Sequence, residues 1–207
     1  MSDILEATAQ QFRSDFWNHQ PTVPMVACEK QALEGIFAEA VDDYGVPLYV
    51  IRGFNSESFE YEWSEDIKGY NERGQQVAIY YFGDHDPSGL CLEQNSQRKL
   101  ERFGARFDWE RAGLLLEDFK RFGLVHVPVK QTDSRANGYL SKFGDMAAEL
   151  DALEPEELQR RIHACIKRHI DRESWERLER ADAVQRDDLA LVARNWGRAL
   201  AAARADA

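Results

Sequence analysis

Three short apolar runs punctuate the first half of this 207-residue chain: Val23 to Cys28, Pro47 to Ile51 and Gln76 to Phe82. They are continuous rather than alternating, VAIYYF in the last case, which is the pattern of strands covered on both faces. Between them lie helical stretches. Lys30 to Tyr44 places Ala32, Leu33, Ile36, Phe37, Ala40 and Val41 on one face, and Gly45 follows where a left-handed residue ends a helix. A second helix is expected near Ser56 to Tyr70, and a third from Leu90 to Phe103. A fourth strand is expected over Ala112 to Leu116. Short buried strands alternating with helices predict an open, mostly parallel α/β sheet.

Around this block the pattern changes. Residues 1–21 read as a helical segment, with Phe12, Phe16 and Trp17 at helical spacing and Pro21 as a stop. From Pro155 the chain turns wholly helical, with Leu158, Ile162, Cys165, Ile166 and Ile170 on one face and Trp175, Leu178, Leu189, Val192, Trp196 and Leu200 beyond. The expected organisation is therefore 1–21, an α/β domain over 22–154, and an all-helical C-terminal extension over 155–207.

The net charge is −11. Residues 1–154 carry 15 bases against 27 acids, whereas residues 155–207 carry 11 against 10. Neither part is a basic module of the kind that holds phosphate backbones unaided. Three scattered cysteines, Cys28, Cys91 and Cys165, form no disulfide framework and suit a reducing, cytoplasmic address. No apolar stretch is long enough to cross a bilayer, and MSDILEATAQ does not start as a secretory signal does.

In an open parallel sheet the chemistry gathers beyond the carboxyl ends of the strands. Here those ends carry acids. The first run ends at Cys28-Glu29, the third at Asp84-His85-Asp86, and Glu149 and Asp151 sit in an alternating segment near residue 150. Asp-x-Asp in extended chain turns both carboxylates to one side. Oxygen ligands of that kind suit Mg2+, or Mn2+ in its place. The same Asp-x-Asp-Pro-x-Gly also reads as a turn with a helix cap, and Asp151 also reads as a cap for a helix starting at Pro155. His85 should point away from the aspartates, and Cys28 reads as a small buried hydrophobe. No zinc spacing and no ATP-binding loop is present.

These residues carry a resemblance. A glutamate ending the first strand and GDHDPSGL after the third resemble a Toprim domain, a Rossmann-like fold, and the acidic motif of the topoisomerase VI A subunit and its relatives. CEKQAL, RGFNS and ELDAL resemble bacterial and phage members of that group, and the similarity spans about residues 22–170. It implies phosphodiester chemistry on nucleic acid, DNA in the first place. By that similarity Glu29 would be the general acid/base and Asp84 and Asp86 would hold Mg2+; the expected metal set is Glu29, Asp84 and Asp86, and Asp151 is a candidate for a second metal beside its reading as a helix cap. Lys130 and Arg135, in the loop after VHVPV, read either as a phosphate clamp or as solvated loop cations; Arg52, after the second strand, reads as a crevice residue or a surface salt bridge, and Ser88 and Gly89 open a helix whose amides would face the substrate anion. Relatives imply a homodimer.

One departure redirects the mechanism. In topoisomerase VI-type proteins a winged-helix domain supplies the attacking tyrosine, whereas Met1 to Pro21 contain no tyrosine and the first is Tyr44. Metal-activated water is then the expected nucleophile, as in Toprim nucleases. The rival expectation is a non-catalytic or partner-dependent subunit whose winged helix or ATPase comes from another chain.

Overall fold

The computed structural model describes residues 15–51, 56–129 and 135–205. Expectations that fall on residues 1–14, on Arg52 to Asn55 and on Lys130 to Ser134 lie outside the described residues. In chain order the elements are β1 (Thr22–Cys28), α1 (Glu34–Asp42), β2 (Leu48–Val50), α2 (Glu57–Glu72), β3 (Gln76–Phe82), α3 (Pro87–Arg102), β4 (Asp108–Gly113), α4 (Leu116–Phe122), α5 (Ala136–Phe143), α6 (Pro155–Lys167) and α7 (Arg172–Ala205). Short 3-10 turns stand at Phe16–His19, Gln31–Leu33 and Leu150–Ala152.

The four strands form one parallel sheet in the order β2-β1-β3-β4. The continuous apolar runs are the two central strands, and every residue from Val23 to Cys28 and from Val77 to Phe82 is buried. One face of the sheet, with Met25, Ala27, Val77, Ile79 and Tyr81, meets Trp63 and Ile67 of α2 and Leu92 and Leu100 of α3. On the other face α1 and α6 pack together, and the Phe37 ring meets Phe82 edge-on at 5.1 Å. Covering both faces removes the pressure to alternate, which is why these strands read as unbroken apolar runs.

β4 lies at Asp108–Gly113, not at the expected Ala112 to Leu116. It is an edge strand, paired only to β3, and from Asp108 to Arg111 its residues alternate exposed and half-buried where those of a central strand would not. Its Trp109 still reaches the core and packs 5.4 Å from Tyr81.

The chain divides into two compact units, Pro21–His169, and Ile170–Ala207 together with the described residues up to Gln20. The division thus falls after α6 rather than at residue 154, because α6 supplies Leu158, Ile162 and Ile166 to the buried face over α1. In the other unit, the Trp175 ring meets Phe16 at 4.9 Å and Trp17 at 5.2 Å, and Asp171 N–H donates to Gln20 Oε1. No helix among the described residues is long and apolar enough to cross a membrane.

A buried ion pair ties α4 to α6. Asp118, 1% exposed at its side chain, accepts from Arg161 Nη1 at 2.8 Å and Nη2 at 2.5 Å and also from Leu115 N–H at the start of α4. Removing one partner of such a pair leaves a desolvated charge behind. Asp118→Ala should lower unfolding free energy by about 3 kcal/mol in chemical denaturation. A loss below roughly 1 kcal/mol, the level of an exposed pair, would contradict this assignment.

Candidate active site

The acids meet where β1 and β3 end side by side. Glu29 N–H donates to Phe82 O at 2.9 Å, so the first residue past β1 is still held against β3. Its side chain crosses to the neighbouring strand, where Oε2 accepts from Tyr81 Oη at 3.0 Å and from Asp84 N–H at 3.0 Å. Gly83 makes that crossing feasible, since a Cβ there would stand 2.5 Å from both Glu29 Oε2 and the Tyr81 hydroxyl. Gly89 has a similar duty: a side chain would collide with the Asp84 carbonyl. Its N–H donates to Asp86 Oδ1 at 2.6 Å, which makes Asp86 the N-cap of α3.

Asp84 Oδ1 accepts from Leu150 N–H at 2.7 Å. One oxygen each of Glu29, Asp84 and Asp86 takes no hydrogen bond among the described residues. The electrostatics carry the mark of crowding. Burial, then the charge of Asp84, pushes the Glu29 carboxyl up from 4.5 to about 7, and the two hydrogen bonds offset only part of this. Asp84 is likewise raised, mainly by burial, against the pull of Leu150 N–H and Lys30. His85 points away as expected: it is buried, its Nδ1 lies 2.6 Å from Tyr139 Oη, and its ring packs on Phe119 and Phe143. Burial also pushes Cys28 up to about 12, which keeps it an inert thiol.

Two basic residues that the sequence reading passed over organise this cluster. Lys30 Nζ lies 2.7 Å from Glu149 Oε2 and 2.5 Å from Asp151 Oδ2. Burial alone would lower the lysine; the two acids more than offset it. Glu149 and Asp151 flank Leu150, so this clamp fixes the N–H that Asp84 uses. Arg111, on β4, donates from Nη1 to the carbonyls of Gly83 and Leu114 at 2.9 and 3.1 Å, and from Nε to Glu93 at 2.8 Å. Its guanidinium stands 5.2 Å from the Tyr81 ring centre. The loop that presents Asp84 is therefore held from below by a half-buried cation. The signal was present in period two, Trp109 and Arg111 on one face of an edge strand, but a charged residue in a strand reads as solvent-facing.

Of the other expected site residues, Arg135 and Ser88 come together, with Nη2 donating to Ser88 Oγ at 3.1 Å. Asp151, expected as a second-metal ligand, is engaged by Lys30; the cap of α6 is Glu154, not Asp151. Gly89 is required by the fold itself, through its close approach to the Asp84 carbonyl. Arg52 and Lys130 lie outside the described residues. Among the described residues no three His, Cys, Asp or Glu side chains are grouped to hold a metal ion by themselves. Magnesium asks less, since it keeps several waters and binds through one or two carboxylates plus substrate phosphate. Asp84 and Asp86 with their unengaged oxygens match that demand in chemistry. Comparison of the chain with protein-family models, curated proteins and solved structures finds no match.

A folded-state value near 7 against 4.5 means the folded protein binds the Glu29 proton more tightly than the unfolded chain does. Stability conferred by that proton is full below pH 4.5 and is lost as pH rises through about 7. In metal-free buffer Glu29→Gln, an uncharged isostere, should melt several degrees above wild type at pH 8 and together with it near pH 4.5. An offset that is the same at both pH values would contradict a buried, proton-hungry Glu29.

Proposed function

We propose that this chain is a Toprim-like phosphodiesterase that cleaves nucleic acid, DNA above all, with Mg2+ or Mn2+ as cofactor. The observation that carries it is the convergence of Glu29, Asp84 and Asp86 at the carboxyl ends of two adjacent parallel strands, each keeping one carboxylate oxygen unengaged. Sheet ends of this kind are where α/β proteins place their ligands.

Asp84 and Asp86 would hold the cation, which when bound offsets charge on the phosphoryl oxygens and lowers the pKa of water. The protein's own groups do the rest. Glu29, oriented by Tyr81 and Asp84 N–H, presents its second oxygen to take the proton of the attacking water. Arg135, seated on Ser88, donates to a phosphate oxygen beside the start of α3. Arg111 and the Lys30 clamp keep Asp84 in place while substrate enters.

The acidity of residues 1–154 favours a second reading, in which a partner subunit brings the basic surface that grips DNA. Incubation with plasmid and single-stranded DNA in Mg2+ or Mn2+ separates the two. Wild type should cut, and Glu29→Gln should cut about 100-fold more slowly or worse. Equal cleavage by the variant would sink the role given to Glu29. Absence of cleavage with every metal would leave the partner-dependent subunit.

A further inference from the structure

Beside the acids, between the start of α3 and the extended segments that follow α4 and α5, lies a cavity of about 160 Å3. Val127, Pro128 and Val129 form an apolar wall, and Asp86, Ser88 and Glu149 supply polar atoms. Two backbone links hold this space open: Val127 N–H donates to Ala147 O at 2.8 Å, and His85 pairs with Ala148 in the same antiparallel sense. Arg135 donates to Ser88 Oγ, which places a cation beside the polar side of this space.

Size and chemistry narrow the occupant. An apolar cavity of about 150 Å3 takes one benzene ring. A space of this volume accepts a single six-membered ring, and the second ring of a fused pair would have to project out of it. The apolar wall suits the ring face. Glu149 Oε2 is engaged by Lys30, whereas its other oxygen takes no hydrogen bond among the described residues and is an acceptor for an N–H. Cytosine offers such a donor in its amino group, thymine and uracil in their ring N–H; purines carry donors too, so ring size rather than this bond sets the preference.

We propose that this cavity is a pyrimidine subsite for the nucleotide next to the phosphate at Asp86, so that the substrate is single-stranded or locally splayed. It rests on the phosphodiesterase function proposed above and adds the substrate class. A base in a closed duplex is stacked and paired on the edge that Glu149 would read, so it must leave the stack to enter.

The test uses the full chain, labelled at valine and alanine methyls, titrated with 2′-deoxycytidine 5′-monophosphate and with the deoxyadenosine analogue. In parallel, cut positions in a mixed-sequence single strand are mapped in Mg2+. The methyl signals of Val127, Val129 and Ala147 should shift with the cytidine nucleotide at concentrations roughly tenfold below those the adenosine one needs, because adenine's second ring must stay outside the cavity and forgo its burial. Cuts should fall beside pyrimidines. Val127→Trp, at a half-exposed position whose backbone bond is kept, should bring both preferences close to one while melting as wild type does. Equal shifts for the two nucleotides, or a preference that survives Val127→Trp, would overturn the subsite. Cleavage without pyrimidine preference or methyl shifts removes the subsite and keeps the phosphodiesterase. Cytidine-selective shifts without cleavage do the reverse.

Discussion

The Glu29 carboxylate, laid across the end of β3, is the interaction on which the site depends. It joins two strands through side-chain atoms beyond the last ladder bond, taking donors from Tyr81 and Asp84 N–H. That position puts it beside the charge of Asp84, in surroundings that resist ionisation. Nothing about folding requires such crowding, since an amide would accept the same two hydrogen bonds without the charge. The cost is instead the kind that active sites accept, where burial and like charges keep carboxylates short of a counter-ion.

The neighbouring structure contains that cost by local means. Asp84 gains Leu150 N–H, Asp86 gains the first turn of α3, and the chain leading into them is held at the Gly83 carbonyl by the Arg111 guanidinium. Lys30 matters less as an ion pair than as a clamp. Its two acidic partners are half-exposed, at 59% and 49%, and pairs of that exposure contribute little energy. What Lys30 does is fix residues 149–151, and with them the one backbone donor that Asp84 receives. A divalent ion held by Asp84 and Asp86 would meet carboxylates already oriented by Leu150 N–H and Gly89 N–H, so little ordering would remain to be done on binding.

The central part of the fold was legible because burial on both faces leaves a simple trace. β1, β3 and the helices after them stand where the apolar runs and their spacing placed them, and the sheet is parallel as those runs implied. The acids at the strand ends were legible for the same reason: a buried strand that stops at a carboxylate is conspicuous. β4 was shifted because an edge strand obeys a different rule, one wet side and one dry. Lys30 and Arg111 were passed over because their partners lie far along the chain, Glu149 and Asp151 for one and Glu93 and the Gly83 carbonyl for the other. Asp151 carries the same lesson in reverse. Leu150–Ala152 is a 3-10 turn rather than the extended chain that alternation implied, and the group that meets both acids is the Lys30 ammonium just past β1 rather than the other acids.

The proposed function turns on Asp84 and Asp86 holding a divalent cation, with Glu29 beside them. Mn2+ binding, followed by electron paramagnetic resonance with Mg2+ as competitor, measures it without reference to any substrate. Wild type should bind Mn2+ and release it to Mg2+. Asp84→Asn/Asp86→Asn, which keeps the acceptors for Leu150 N–H and Gly89 N–H, should bind more than about tenfold more weakly, a loss that removal of even outer partners of a metal site produces. Equal binding by the two proteins, or none by wild type, would contradict the account.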